Sequence, residues 1–300
     1  MVNNKRLDIE LMRIIAAFFV IFNHTGSMGF FLFSHYEENS VSYWIYLYIS
    51  IFCKLSVPLF FMISGALMLN RKPESVKILW FHRIFHMICI LIIWSFFYYL
   101  VAVKEGKETF NIYHFFSRLY DGNWNFSYWY LYAYLPFLIS LPLLQRIAQN
   151  LRDEEYMYIL FMYIIFNMFI PCIQYFLFQG KHNLNANILV FGGGGVSNIL
   201  IFPLAGYFLT YRLRNFWNVK KVLILWIVNI STIALSCYLT YYRAKIMGIC
   251  NEDNSQMFHT TFVLINCVTV FVTVSYTHLD VYKRQGRPFR RRWEAMRLWL

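Results

Sequence analysis

Arg6-Leu7-Asp8-Ile9-Glu10-Leu11-Met12-Arg13 opens a stretch that runs through Ile14 to Asn23 and ends at His24. Its apolar body is long enough to enter a bilayer, yet it carries an arginine near one end and a histidine well inside the hydrocarbon. Eleven steps separate the two. At about 100° and about 1.5 Å per residue, they return to within roughly 20° of the start and rise about 16 Å. Arg13 and His24 are therefore expected on one face of one helix, at two depths. An ionisable group at membrane depth needs a partner or a cavity, which makes each of them a functional candidate.

The rest of the chain has the same character. Of its 300 residues, 59% are hydrophobic and only 14% charged, outside the range of an ordinary soluble domain. Apolar runs of about 20 residues recur, each sufficient to cross roughly 30 Å of hydrocarbon. Helices are expected at 9–33, 43–69, 78–103, 126–145, 156–178, 188–211, 220–242 and from 258 onward, because lipid offers the backbone no other hydrogen-bond partner. The fold class is thus an all-α polytopic membrane protein with about eight transmembrane helices.

Charge sets the orientation. Lys5, Arg6, Arg71, Lys72, Lys77, Arg146, Arg152, Arg212, Arg214, Lys220 and Lys221 fall on the N-terminal side. Lys104, Lys107, Arg118, Lys181, Arg243 and Lys245 fall on the other. The excess places the N-terminus in the cytoplasm. The first segment lacks a small-residue cleavage site, so no cleavable signal peptide is expected. Six cysteines are scattered, mostly inside apolar runs, with no metal-ligand spacing, and read as small buried side chains.

Several stretches carry more than apolarity. Ser56-Val57-Pro58-Leu59-Phe60-Phe61-Met62-Ile63-Ser64-Gly65-Ala66-Leu67-Met68-Leu69 places a proline inside a helix, freeing a carbonyl, and a Ser64-Gly65 pair where another helix can approach closely. Lys77-Ile78-Leu79-Trp80-Phe81-His82-Arg83 is a basic helix entry; on its own Arg83 reads equally well as an interfacial anchor. His82 and His86 lie four apart, a spacing that suits a metal, but no third ligand is in view and interfacial packing accounts for them. Ser127-Tyr128-Trp129-Tyr130-Leu131-Tyr132 opens another helix, and Phe202-Pro203-Leu204-Ala205-Gly206-Tyr207-Phe208-Leu209 a further one. Trp124 and Trp129 suit either an interfacial aromatic belt or stacking on a sugar ring. Gly192-Gly193-Gly194-Gly195 lacks the lysine of a phosphate-binding loop and reads as a break entering a helix. Asn229 suffices for helix packing.

Taken together, these stretches over about residues 5–273 resemble acyltransferase family 3, integral-membrane bacterial enzymes that move acyl groups, usually acetyl, onto sugars of cell-surface polysaccharides. Arg13 and His24 fit that family's Arg-x10-His motif, and 58–65 its Pro-Leu-Phe-Phe-x-x-Ser-Gly signature. The chain departs at Ser127, where many relatives have a histidine two residues before the tryptophan. The resemblance implies ten helices in a complete member, two more than are visible here. It also implies an acyl-CoA donor, acetyl-CoA by preference, used as co-substrate with no bound cofactor and no metal. The expected partners are that donor, a glycan or lipid-linked sugar acceptor and the lipid bilayer of the plasma membrane.

Residues 274–300 read differently. Val274-Ser275-Tyr276-Thr277-His278-Leu279-Asp280-Val281-Tyr282-Lys283-Arg284-Gln285 breaks the last helix without caps. It back-translates into a nearly self-complementary string, two head-to-head copies of the transposon end used in sequencing libraries. The expected organisation is therefore a membrane acyltransferase domain at 1–273, translated adapter at 274–285 and a non-native tail at 286–300. The rival is a native basic tail lying on anionic lipid. The segment contributes a net +5 of the formal +12, so the overall charge is no sign of a nucleic-acid partner.

Within that resemblance each residue acquires an expected role. His24 serves as the base that takes the acceptor hydroxyl proton, or as a transient acyl carrier. Arg13 binds donor phosphate or orients the site. Asp8 and Glu10 pair with Arg13, Arg6 or Arg83; Arg83, Ser64 and Trp129 contribute to substrate binding. A transporter of lipid-linked sugars would show more intramembrane charge pairs and repeat symmetry, and neither is visible. A non-catalytic scaffold of polysaccharide assembly would tolerate loss of His24.

Overall fold

The computed structural model describes residues 6–38, 40–178, 200–247, 258 and 260–278. Among these the chain is mostly helical, without strands. The helices are α1 (Leu7–His24), α2 (Val41–Cys53), α3 (Ser56–Met68), α4 (Val76–Lys104), α5 (Ile112–Asp121), α6 (Trp129–Asn150), α7 (Asp153–Phe178), α8 (Phe202–Tyr211), α9 (Val219–Met247) and α10 (Val263–His278). Five spans are long and apolar enough to cross a membrane by length and composition: Val41–Met68, α4, α6, α7 and Val219–Lys245. The protein is an all-α polytopic membrane protein.

Four boundaries depart from expectation, and local chemistry explains the first two. The first helix stops at His24 instead of reaching 33. Gly26 adopts φ +57°, a left-handed conformation that ends helices, and the Thr25 hydroxyl donates to the Phe22 carbonyl at 2.8 Å. The chain then leaves through two short 3₁₀ turns, Gly26–Met28 and Leu32–His35, rather than as helix.

The second helix is split at Lys54-Leu55 into α2 and α3. Pro58 has no N–H to give the carbonyl four residues earlier, which is that of Lys54, and the helix loosens there into bonds between residues three apart. The loop after α4 contains a helix of its own, α5. The last helix does not break at Val274: α10 continues to His278. The expected helix at 188–211 is described only from residue 200, and Gly192–Gly195 lies outside the described residues.

The tightest packing is between α3 and α8. A Cβ added to Gly65 would lie 2.0 Å from the Pro203 carbonyl oxygen, and one added to Gly206 would lie 2.0 Å from that of Met62. Each glycine admits the other helix's backbone, as small residues do at membrane helix seams. The carbonyls at the end of α3, which no helix bond can satisfy, take donors from neighbours. Tyr211 Oη donates to Ala66 O at 3.0 Å, Gln145 Nε2 to Met68 O at 3.0 Å and Gln149 Nε2 to Leu69 O at 2.7 Å. Around this seam α1, α3, α6, α8 and α10 share one apolar core. Asn229, expected to serve packing, donates to Asn266 Oδ1 at 2.8 Å and ties α9 to α10 inside the protein.

Candidate active site

α1 is divided lengthwise into three stripes. Ile9, Met12 and Ala16 are buried in the shared core. Leu7, Leu11, Ile14, Phe18 and Ile21 form an exposed apolar stripe. Between the two stripes, Arg6, Glu10, Arg13 and His24 fall on one helical face, as the eleven-residue spacing requires. Ala17, exposed and small, lies between Arg13 and His24 on that face. The helix therefore offers an open polar strip about 16 Å long with a guanidinium at one end and an imidazole at the other.

The acidic residues of the first turns stay local. Arg6 pairs with Asp8 at 2.8 Å and Arg13 with Glu10 at 2.8 Å, all on the exposed side. Neither carboxylate reaches Arg83, one of the pairings the sequence allowed. Arg83 is instead gripped by Glu74, with Nε donating to Oε2 at 2.8 Å and Nη2 to Oε1 in a second parallel bond. That two-pronged bond holds the Glu74 carboxyl below its ordinary value of 4.5, because the guanidinium favours the charged form. Sequence reasoning missed Glu74; its position nine residues before Arg83, in a loop, gave no helical spacing to detect.

At the other end of the strip, His24 closes α1 with its side chain exposed. Asn23 Nδ2 donates to the Cys53 carbonyl at 2.9 Å and to Ser56 Oγ at 3.1 Å. Cys53 lies twelve steps into α2, about 18 Å from its start. The end of α1 is thus registered against the middle of the Val41–Met68 span, so His24 stands level with that middle although it ends its helix. In the departing loop Thr25, Ser27 and Met28 are exposed, whereas Phe30 and Phe33 are buried and the Ser50 hydroxyl donates to the Phe30 carbonyl at 2.7 Å.

The His24 ring meets the turn that opens α6: Ser127 Oγ lies 3.2 Å from Nδ1. Residue 127 is the position at which the sequence departs from the histidine of the family motif, and it faces the strip's histidine directly. Lys54, at the α2–α3 break, has its Nζ 3.7 Å from the centroid of the Phe30 ring. Neither Asn23 nor Lys54 was singled out from sequence. The proline that opens the break at Lys54 was the available signal.

Other candidates fall elsewhere. Ser64 is half-buried on α3, next to the Gly65 contact with α8. Trp129, half-buried at the start of α6, packs on the shared core. Trp124 is buried among Tyr99 and Phe115, its Nε1 donating to Phe115 O at 3.1 Å, and so holds α5 onto α4. A buried indole cannot stack on a sugar, so that reading of Trp124 is corrected. His82 and His86 are both exposed, and no group of three metal-ligating side chains occurs among the described residues. Cys53, Cys237 and Cys267 are buried free thiols, Cys89 and Cys172 are only half-buried, and Cys250 lies outside the described residues.

The stretches 58–65 and 202–209, both singled out from sequence, meet across the α3–α8 seam, and the Arg13–His24 strip flanks them. Residues 6–292 match the family model described as an acyltransferase domain, acyltransferase family 3. The chain belongs to acyltransferase family 3. No curated protein and no solved structure matches it. As a member of that family it is a multi-pass membrane acyltransferase, and in that family's terms the strip of α1 carries the Arg-x10-His motif.

Proposed function

We propose that the protein moves an acyl group, acetyl by preference, from acyl-CoA to a hydroxyl of a cell-surface glycan or its lipid-linked precursor in the plasma membrane of a bacterium. The observation that carries this reading is the two-ended strip of α1. A CoA thioester is a polyphosphate at one end and a reactive carbonyl at the other, joined by a flexible arm. Arg13, at the basic end, suits the phosphates through its planar fork of donors. The small Ala17 leaves room along the strip for the arm. His24, at depth, suits the thioester.

A sugar hydroxyl becomes a competent nucleophile when a base takes its proton, and a neutral imidazole titrates near working pH. Ser127 on Nδ1 fixes the plane of the ring, leaving the reaction geometry to a rigid group. Attack on the thioester carbonyl passes the hydroxyl proton to His24, and the departing CoA thiolate takes that proton as it leaves. Arg83, held by Glu74, and Ser64 and Trp129 beside the core, are assigned to substrate binding at the margins of this path.

The test is His24→Ala in membranes supplied with acetyl-CoA labelled in its acyl group. Incorporation of label should fall about 10²- to 10⁴-fold, the usual contribution of a general base, with membrane abundance unchanged. Full transfer by that variant would sink the assignment of His24.

A further inference from the structure

Lys54 is a cation lodged midway along the Val41–Met68 span, where a charge is expensive unless something answers it. Among the described residues no carboxylate answers it: the ion pairs there involve other cations. Its Nζ instead stands 3.7 Å from the centroid of the Phe30 ring. Phe30 is buried and fixed by the Ser50 bond to its carbonyl. An aromatic face attracts an ammonium through the quadrupole of the ring and leaves its charge intact. The lysine is therefore held in place by the ring.

Its position is equally specific. The bond from Asn23 to the Cys53 carbonyl joins the residue before His24 to the residue before Lys54. The histidine and the lysine are thereby brought to one level of the membrane on adjoining chain segments. Pro58 contributes by opening the helix at Lys54, so the side chain projects from a break rather than from a regular helical face. A packing role alone would be met by an apolar residue at far lower desolvation cost.

We propose that Lys54 is a catalytic residue whose ammonium receives the negative charge that develops on the thioester carbonyl oxygen. This rests on the acyl-transfer reading of His24. As the acceptor oxygen bonds to the carbonyl carbon, its proton passes to the His24 imidazole. The carbonyl π pair moves onto oxygen, forming an oxyanion beside Lys54. Collapse re-forms the C=O bond and breaks the C–S bond, and the CoA thiolate leaves with the proton from the imidazolium. A fixed cation in a low-dielectric site stabilises such an oxyanion far better than water does, and removing one such group commonly slows turnover about 10²- to 10³-fold.

The experiment compares wild-type protein, K54M, K54R and H24A in membranes that retain their own acceptor, with labelled acetyl-CoA as the probe. K54M should lose about 10²-fold in kcat, with KM for acetyl-CoA within about threefold, because the group acts on charge that the ground state lacks. K54R should keep at least about a tenth of wild-type kcat. If K54M does not accumulate in the membrane, K54Q is judged by the same two readouts. A K54M or K54Q enzyme that keeps more than about a third of kcat, or loses only in KM, overturns the role. An inactive H24A beside an active K54M would sink Lys54 alone; no transfer by wild type would sink the acyl-transfer reading with it.

Discussion

The α3–α8 seam and the His24 end of α1 are built on opposite terms. At the seam two helices touch backbone to backbone through Gly65 and Gly206, and the side chains around them are apolar and fully covered. At His24 a helix stops, another is broken, and polar side chains take over the work of fixing the backbone. At the glycine contacts the first region has no room for change. The second has chemistry because its helices are interrupted: the ends at His24 and Lys54 present groups that a continuous helix would have spent on its own hydrogen bonds or turned to lipid. The seam supplies the rigidity against which that interrupted region is held.

The sharpest way to break this contrast is to put a methyl group into the seam. Gly65→Ala and Gly206→Ala each place a Cβ 2.0 Å from a backbone oxygen, a gap that no rotamer change relieves. Overpacking of this kind costs typically 1–3 kcal/mol and more where backbone must move; we expect about 3 kcal/mol or more for each, seen as a collapse of thermal stability in detergent. Because the helices need to part only once, the double variant should cost clearly less than the sum. Full additivity would mean that the two glycines do not share one seam. Transfer activity per folded molecule should be affected far less than abundance, the reverse of His24→Ala.

Asn23 offers an intermediate case, since it is structural in its bonds and functional in what it positions. Asn23→Ala leaves the Cys53 carbonyl and the Ser56 hydroxyl without their donor at depth. An unsatisfied buried polar group costs about 1–3 kcal/mol. The same change releases the register between His24 and Lys54, so kcat should fall about tenfold in the fraction that folds. Asn23→Asp, which keeps the shape but loses the amide donor, should fail in the same way. If either variant is as active as wild type, the tie between the two helix ends is not what aligns them.

Much of this was legible in the residues. Apolar runs placed five of the eight expected spans, the eleven-step spacing placed Arg13 and His24 on one face, and Ser64-Gly65 announced a close neighbour. The identity of that neighbour was not legible, because Gly206 is 141 positions away and pairing across such a distance leaves no periodic trace. Helix ends were misplaced where they depend on a single backbone choice: Gly26 could be read as an ordinary small residue in an apolar run until its positive φ was seen. Pro58 reads as a kink in sequence, but that reading does not say that the carbonyl it frees belongs to Lys54. Glu74 and Asn23 were missed because each acts across a loop or between helices, and neither distance is encoded in local spacing.

The smallest effect expected lies at the basic end, and it tests whether that end is organised as tightly as the deep one. Glu74 and Arg83 are both about one-third exposed, 32% and 29% by side chain, so their pair contributes about 1 kcal/mol or less. Its sign with pH is fixed by the direction of the shift. The folded carboxyl titrates below its ordinary 4.5, chiefly because of the bonds from Arg83. The contribution is therefore fully present above that ordinary value and is lost as pH falls through the lower, folded one. Wild-type protein should lose a little stability between about pH 5 and pH 3 that Glu74→Gln has already lost at pH 7. Thermal melts of both across that range should converge at the acid end. Parallel curves, with the gap kept at low pH, would show that Glu74 acts by packing and that its charge does nothing for Arg83.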